Sequence, residues 1–125
     1  MSHITRIKTN VNFKDKNVLE AALKELETQF SDLTYSYDHA KDQYLVRYPP
    51  IEGYQKNGNL RFVYSGGNYQ MQGDSWMCEK SFEKVTGQVI VNYQKFAVQR
   101  YLMTKRYSNT VSTSDNGVIV TARRY

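Results

Sequence analysis

Leu60-Arg61-Phe62-Val63-Tyr64-Ser65-Gly66-Gly67-Asn68-Tyr69-Gln70-Met71-Gln72 decides the fold class of this 125-residue chain. Leu60, Phe62 and Tyr64 alternate with Arg61, Val63 and Ser65, and Tyr69 and Met71 alternate with Gln70 and Gln72. A period of two belongs to strands, whose successive side chains point to opposite faces. Gly66-Gly67 between the two runs supplies residues that tolerate φ > 0, as a tight hairpin turn requires. The alternation puts Leu60, Phe62 and Tyr64 on one face and Arg61 on the other. A sheet with one apolar face needs a covering layer.

The segments on either side supply it. Upstream, Asn17 with Glu20 three residues on predicts a capped helix start. Val18, Leu19, Ala22, Leu23, Leu26 and Phe30 then recur at helical spacing. Before it, His3 to Val11 reads as a first strand. After it come short strands at Leu33 to Tyr37 and Gln43 to Tyr48, the second ended by Pro49-Pro50. Ile51 to Asn59 reads as a loop.

Downstream, Glu79 to Arg106 predicts a long helix, because Phe82, Val85, Val89, Tyr93, Phe96 and Met103 step by three or four. Val89-Ile90-Val91 and Gly87 argue against helix locally, and the longer pattern outweighs them. Lys84, Gln88, Asn92, Lys95, Gln99 and Arg106 fall on its polar side. Thr110 to Thr113, a turn at Asp115-Asn116-Gly117 and Val118 to Arg124 close the chain as a hairpin. The order predicts a single α+β domain over residues 1–125, a mostly antiparallel sheet with two helices packed on one face.

Charge is distributed unevenly along this plan. Residues 1–58 carry eight basic and eight acidic side chains, whereas Val85 to Tyr125 carries six basic ones against Asp115 alone. The excess of +5 therefore lies in the last third. Tyr93, Tyr101, Tyr107 and Tyr125 are threaded through those cations. Cations interleaved with aromatic rings suit an anionic, π-bearing ligand. The candidate ligand-binding residues are Arg100, Tyr101, Lys105, Arg106, Tyr107, Arg123, Arg124 and Tyr125. Arginine's planar fork pairs with phosphate oxygens and tyrosine stacks on a base. Lys105 and Arg106 also complement the carbonyl end of a helix, and Lys95 is expected to face solvent. Five excess charges favour a compact nucleotide or short oligonucleotide over an extended nucleic-acid footprint.

No reaction is written into the residues. His3, His39 and Cys78 are far apart and form no metal-ligand spacing. Ser65-Gly66-Gly67-Asn68 lacks the Gly-Lys-Ser/Thr ending of a phosphate loop and reads as a turn. The chain is therefore expected to be non-enzymatic and without a metal or cofactor. Cys78, as the single cysteine, suits a reducing compartment and reads as a small core residue. The longest apolar run is only a few residues, so nothing is expected to span a membrane and the expected location is cytoplasmic. A phage protein made in a bacterial host fits the same description. Eleven tyrosines against five phenylalanines predict many half-buried rings on sheet faces or at an interface.

The opening Met1-Ser2-His3-Ile4-Thr5-Arg6-Ile7-Lys8-Thr9, followed by a helix containing Leu19 and Ala22-Leu23, resembles the hypothetical chloroplast open reading frame thirty-five family. Those small proteins of plastids, cyanobacteria, other bacteria and phages similarly show a strand pair ending near a tryptophan, here Tyr69 to Trp76. A helix like Phe82 to Thr86 and a final strand like Val118 to Tyr125 extend the likeness, which is sharp only over the first nine residues. This chain departs from it in Tyr37 to Asn59 and around Lys95 to Ser108. The resemblance implies an accessory protein with no established catalytic residues, and gene neighbourhoods in that family point to AAA+ ATPases. Two functions follow as expectations. One is a protein that sequesters an anionic small molecule, nucleotide, cyclic oligonucleotide or single-stranded nucleic acid, held between subunits of a homo-oligomer. The alternative is a protein-interaction adaptor for an AAA+ ATPase.

Overall fold

The structure, a computed structural model, describes residues 5–6, 11–50, 56–75, 78–104, 107–114 and 117–124, with 5–6, 107–114 and 117–124 as backbone. Its elements are β1 (Thr5–Arg6), α1 (Lys16–Gln29), β2 (Thr34–Asp38), β3 (Gln43–Tyr48), β4 (Gly58–Ser65), β5 (Asn68–Gly73), α2 (Glu79–Thr104), β6 (Tyr107–Ser114) and β7 (Gly117–Arg124). Five strands form one antiparallel sheet in the order β1-β5-β4-β3-β2, and β6-β7 form a separate two-stranded ribbon. The α+β class and the antiparallel sheet under two helices are as expected.

Alternation does the work in the sheet. Tyr44, Val46 and Tyr48 of β3, Leu60 and Phe62 of β4, and Tyr69 and Met71 of β5 are buried on one face. Val18, Leu19, Ala22, Leu23 and Leu26 of α1 and Val85, Val89 and Tyr93 of α2 join them in one core. Each such side chain contributes roughly 1.5–3 kcal/mol by leaving water. Phe13 ties the layers, its ring edge-on to Phe62 at 5.6 Å and to Tyr93 at 5.0 Å. Its carbonyl also accepts the Tyr69 N–H at 2.9 Å, which extends the β5 edge towards α1.

Turn chemistry explains the joins. Gly66 and Gly67 have φ of +61° and +88°, the paired left-handed conformation that a two-residue hairpin needs. Gly58 lies so close to the Tyr48 ring that a Cβ there would overlap it. The β-branched run at Val89 stays helical because Val89 is fully buried in the core. Tertiary packing overrides local propensity there.

Several expectations need correction. α1 is capped by Asp15, whose extended backbone leaves its carboxylate to accept the Asn17 and Val18 N–H groups; Asn17 lies inside the first turn. Asn92, expected on the polar side of α2, is fully buried against α1. Its amide donates to the Ala22 carbonyl and Gln29 Oε1, and its oxygen accepts from Gln29 and Gln88. A satisfied amide is stable at a helix interface, and a period-3.6 pattern cannot register it. Met103, expected in the apolar row, is 71% exposed. β4 starts at Gly58, inside the expected loop, whose residues 51–55 lie outside the described ones. Gly117 pairs with Ser114 in the ladder, whereas the predicted turn included it. Of the first predicted strand, the described part is Thr5–Arg6, paired with Gly73 and Gln72.

Candidate anion-binding site at the end of the second helix

The β6-β7 register brings the backbones of three predicted residues, Tyr107, Arg123 and Arg124, together. Tyr107 pairs with Arg124 and Ser108 with Arg123. Strand spacing is about 4.8 Å, so the backbone of Arg123-Arg124 returns beside the start of β6. That start lies three residues beyond Thr104, the end of α2. Both β6 and β7 contact α2. Of the predicted set, Lys105, Arg106 and Tyr125 lie outside the described residues, and Tyr107, Arg123 and Arg124 are known by backbone position.

Arg100 and Tyr101 are described in full. Arg100 is half exposed, and its Nη1 lies 3.0 Å from Asp15 Oδ2 while donating to Oδ1 at 3.3 Å. Asp15 caps α1, and its N–H donates to the Tyr93 hydroxyl at 3.0 Å. Arg100 therefore ties the end of α2 to the start of α1. Tyr101 is 61% exposed. Beside them runs a groove of about 240 Å³ between the two helices, lined by Asn17, Val18, Ala21, Phe96, Gln99, Arg100 and Met103. Its mostly apolar lining suits a flat ring.

Two other members of the basic-aromatic cluster have structural roles. Lys95 does not face solvent freely: its side chain is 21% exposed, its Nζ lies 3.7 Å from Glu25 and 5.0 Å from the Phe96 ring centroid. A lysine stem lies along apolar surface while its charge finds a carboxylate. Tyr93 is a buried core ring. Glu25 and Asp15 thus neutralise Lys95 and Arg100, two of the six cations of the last third. The others are Lys105, Arg106, Arg123 and Arg124.

A second polar constellation went unread in the sequence. Asp42, in the turn between β2 and β3 with φ of +50°, accepts from the Tyr37 hydroxyl at 2.7 Å and the Tyr69 hydroxyl at 2.5 Å. Lys16 donates to the same Tyr37 oxygen at 2.7 Å. The hydroxyls of Tyr69 and Tyr37 hold the Asp42 carboxyl below its ordinary pKa. The Tyr37 contact raises that of Lys16. A carboxylate held ionised by two donors is a weak proton acceptor, so this network suits anchoring better than general base work. Tyr44 stands beside it, ring to ring with Tyr35, Tyr37 and Tyr69. Its hydroxyl is buried without a hydrogen-bond partner among the described residues, and burial pushes its pKa up to about 12. The available signal was Tyr35, Tyr37, Tyr44 and Tyr69 falling on the core face by alternation.

Cys78 is buried as expected, its thiol donating to the Asp74 carbonyl at 3.3 Å, and burial pushes its pKa up. Among the described residues no group of three or more His, Cys, Asp and Glu is placed to hold a metal ion. No described helix is long and apolar enough to cross a membrane. Comparison with family models, with curated proteins and with solved structures gives no match for this chain.

Proposed function

We propose that this chain is a non-enzymatic binding protein that sequesters an anionic ligand, a nucleotide or a short oligonucleotide including cyclic ones. The ligand's phosphates meet the base of the β6-β7 ribbon, and its ring meets the apolar groove beside Arg100. The observation that carries this reading is the β6-β7 register. It returns Arg123 and Arg124 to the chain segment that leaves α2, where Lys105 and Arg106 also fall in sequence. Cations in such a patch raise the local concentration of an anion and pair with its oxygens in charge-assisted hydrogen bonds.

Calorimetry at low salt across mononucleotides, cyclic dinucleotides and short oligothymidylates tests the reading, with Arg123→Ala/Arg124→Ala as the matched variant. The expected result is binding of at least one class by the native chain, weakened about tenfold or more in the variant. Absence of binding by every probe would overturn the proposal. In that event the adaptor reading takes its place. Capture of an AAA+ ATPase that survives nuclease treatment identifies it, with exposed Tyr101 and Met103 as contact points.

A further inference from the structure

Folding separates charges that are balanced along the first half of the sequence. Glu20, Glu25 and Glu27 lie on α1 against Lys16 and Lys24, and Asp15 caps it, which leaves that helix net acidic. Arg47 and Arg61 alternate with the core residues of β3 and β4, so they occupy the sheet face turned away from both helices. The register continues this arrangement across the sheet. Leu45 pairs with Arg61, Arg61 with Gln72, and Gln72 with Arg6 of β1. Arg47 lies two residues along β3 and one strand across from Arg61, about 8 Å by strand geometry.

The face is rich in donors. Besides the arginines it carries Gln43, Gln70, Gln72 and Asn59, and a cleft of about 260 Å³ opens on it, lined by Ser36, Tyr37, Asp38, Lys41, Gln43, Leu45 and Arg61. The strands place one carboxylate there, Asp38, and its Oδ1 already accepts the Ala40 and Lys41 N–H groups at 3.0 and 3.3 Å. Among the described residues, Arg47, Arg61 and Lys41 have no ion-pair partner. By contrast, Lys95 and Arg100 on the helical side are each paired.

We infer that this sheet face, turned away from both helices, binds the phosphate backbone of single-stranded nucleic acid, a surface separate from the ribbon site. Arg47 and Arg61 take successive phosphates, and the glutamine amides meet sugar and base edges as both donors and acceptors. The outward-facing strand positions carry no aromatic ring, and Tyr37 takes part only in the cleft lining. Phosphate contacts therefore dominate, and recognition is sequence-tolerant and strongly salt-dependent.

Fluorescence anisotropy with a labelled oligothymidylate of about 15 nucleotides tests the surface across a salt series. Arg47→Ala/Arg61→Ala should bind about tenfold more weakly at low salt. Its plot of log K against log salt should be shallower by about 1.4, roughly 0.7 for each cation lost. Arg47→Lys/Arg61→Lys should keep the slope. Both arginines are exposed, so circular dichroism should show an unchanged fold. Unchanged affinity and slope in the alanine variant would overturn the inference, as would no binding by the native chain. Loss of binding confined to Arg123→Ala/Arg124→Ala would overturn it too while leaving the ribbon site standing. Displacement of the oligonucleotide by polyglutamate at equal charge concentration would reject the nucleic-acid assignment.

Discussion

Asp42, Tyr69 and Tyr44 sit within one cluster and make opposite contributions. The Tyr69 ring is buried and its hydroxyl gives Asp42 a short charge-assisted bond. Tyr69→Phe should therefore cost about 1 kcal/mol in urea unfolding, the low end for such a bond because Asp42 is partly exposed. Asp42 has a folded pKa below its ordinary value of 3.8. Its stabilising contribution is thus complete above that value and is lost as pH falls through the lower folded pKa. The penalty of Tyr69→Phe should accordingly be constant above about pH 4 and shrink as pH falls below it; a pH-independent penalty would contradict the network. Tyr44 behaves the other way, since its buried hydroxyl lacks a partner among the described residues. Tyr44→Phe should be neutral or stabilising by up to about 1 kcal/mol, and clear destabilisation would show a missed partner. Neither role was legible in sequence. Alternation places a tyrosine on a face, but the partner of its hydroxyl comes from another strand.

Elements were easier to read than contacts, for reasons visible in particular residues. The β4-β5 hairpin declared itself because period-two alternation and Gly66-Gly67 agree, and both glycines have positive φ. α2 was legible despite Val89-Ile90-Val91 because its pattern runs over many turns. The helix start was misplaced by two residues, since Asn17 and Asp15 are both good caps and only backbone conformation selects Asp15. Asn92 was misassigned because burial of a polar residue depends on the reciprocal amide of Gln29, far away in sequence. Gly87 is exposed inside α2, and a Cβ there meets nothing within 4 Å. Gly87→Ala should therefore raise stability by roughly 0.5–1 kcal/mol through a less flexible unfolded chain. Thermal or urea unfolding reads this directly, and a loss of stability would mean that the surface carries a contact the side chain disrupts.

At the scale of the whole molecule, the sequence count of charge and the folded distribution differ. The last third looked uniformly cationic, yet Lys95 and Arg100 are paired with Glu25 and Asp15. The first half looked neutral, yet four of its carboxylates, Asp15, Glu20, Glu25 and Glu27, cap or lie on α1, while Arg47 and Arg61 lie on the sheet face turned away from the helices. Composition reports totals, and topology decides which charges meet. The hairpin was legible from Asn116-Gly117, but its first strand was expected only over Thr110 to Thr113, and the structure starts it at Tyr107, which pairs with Arg124. The groove beside Arg100 was not legible, since Val18 and Phe96 come from different helices. The most direct measurement for the central claim is an amide-resolved NMR titration of ¹⁵N-labelled chain with a cyclic dinucleotide and with a short oligothymidylate at low salt. The account predicts saturable shifts concentrated on Arg100 to Thr104, Tyr107, Ser108, Arg123 and Arg124 with at least one of these probes. No saturable shifts with either, or shifts that leave those residues untouched, would contradict it.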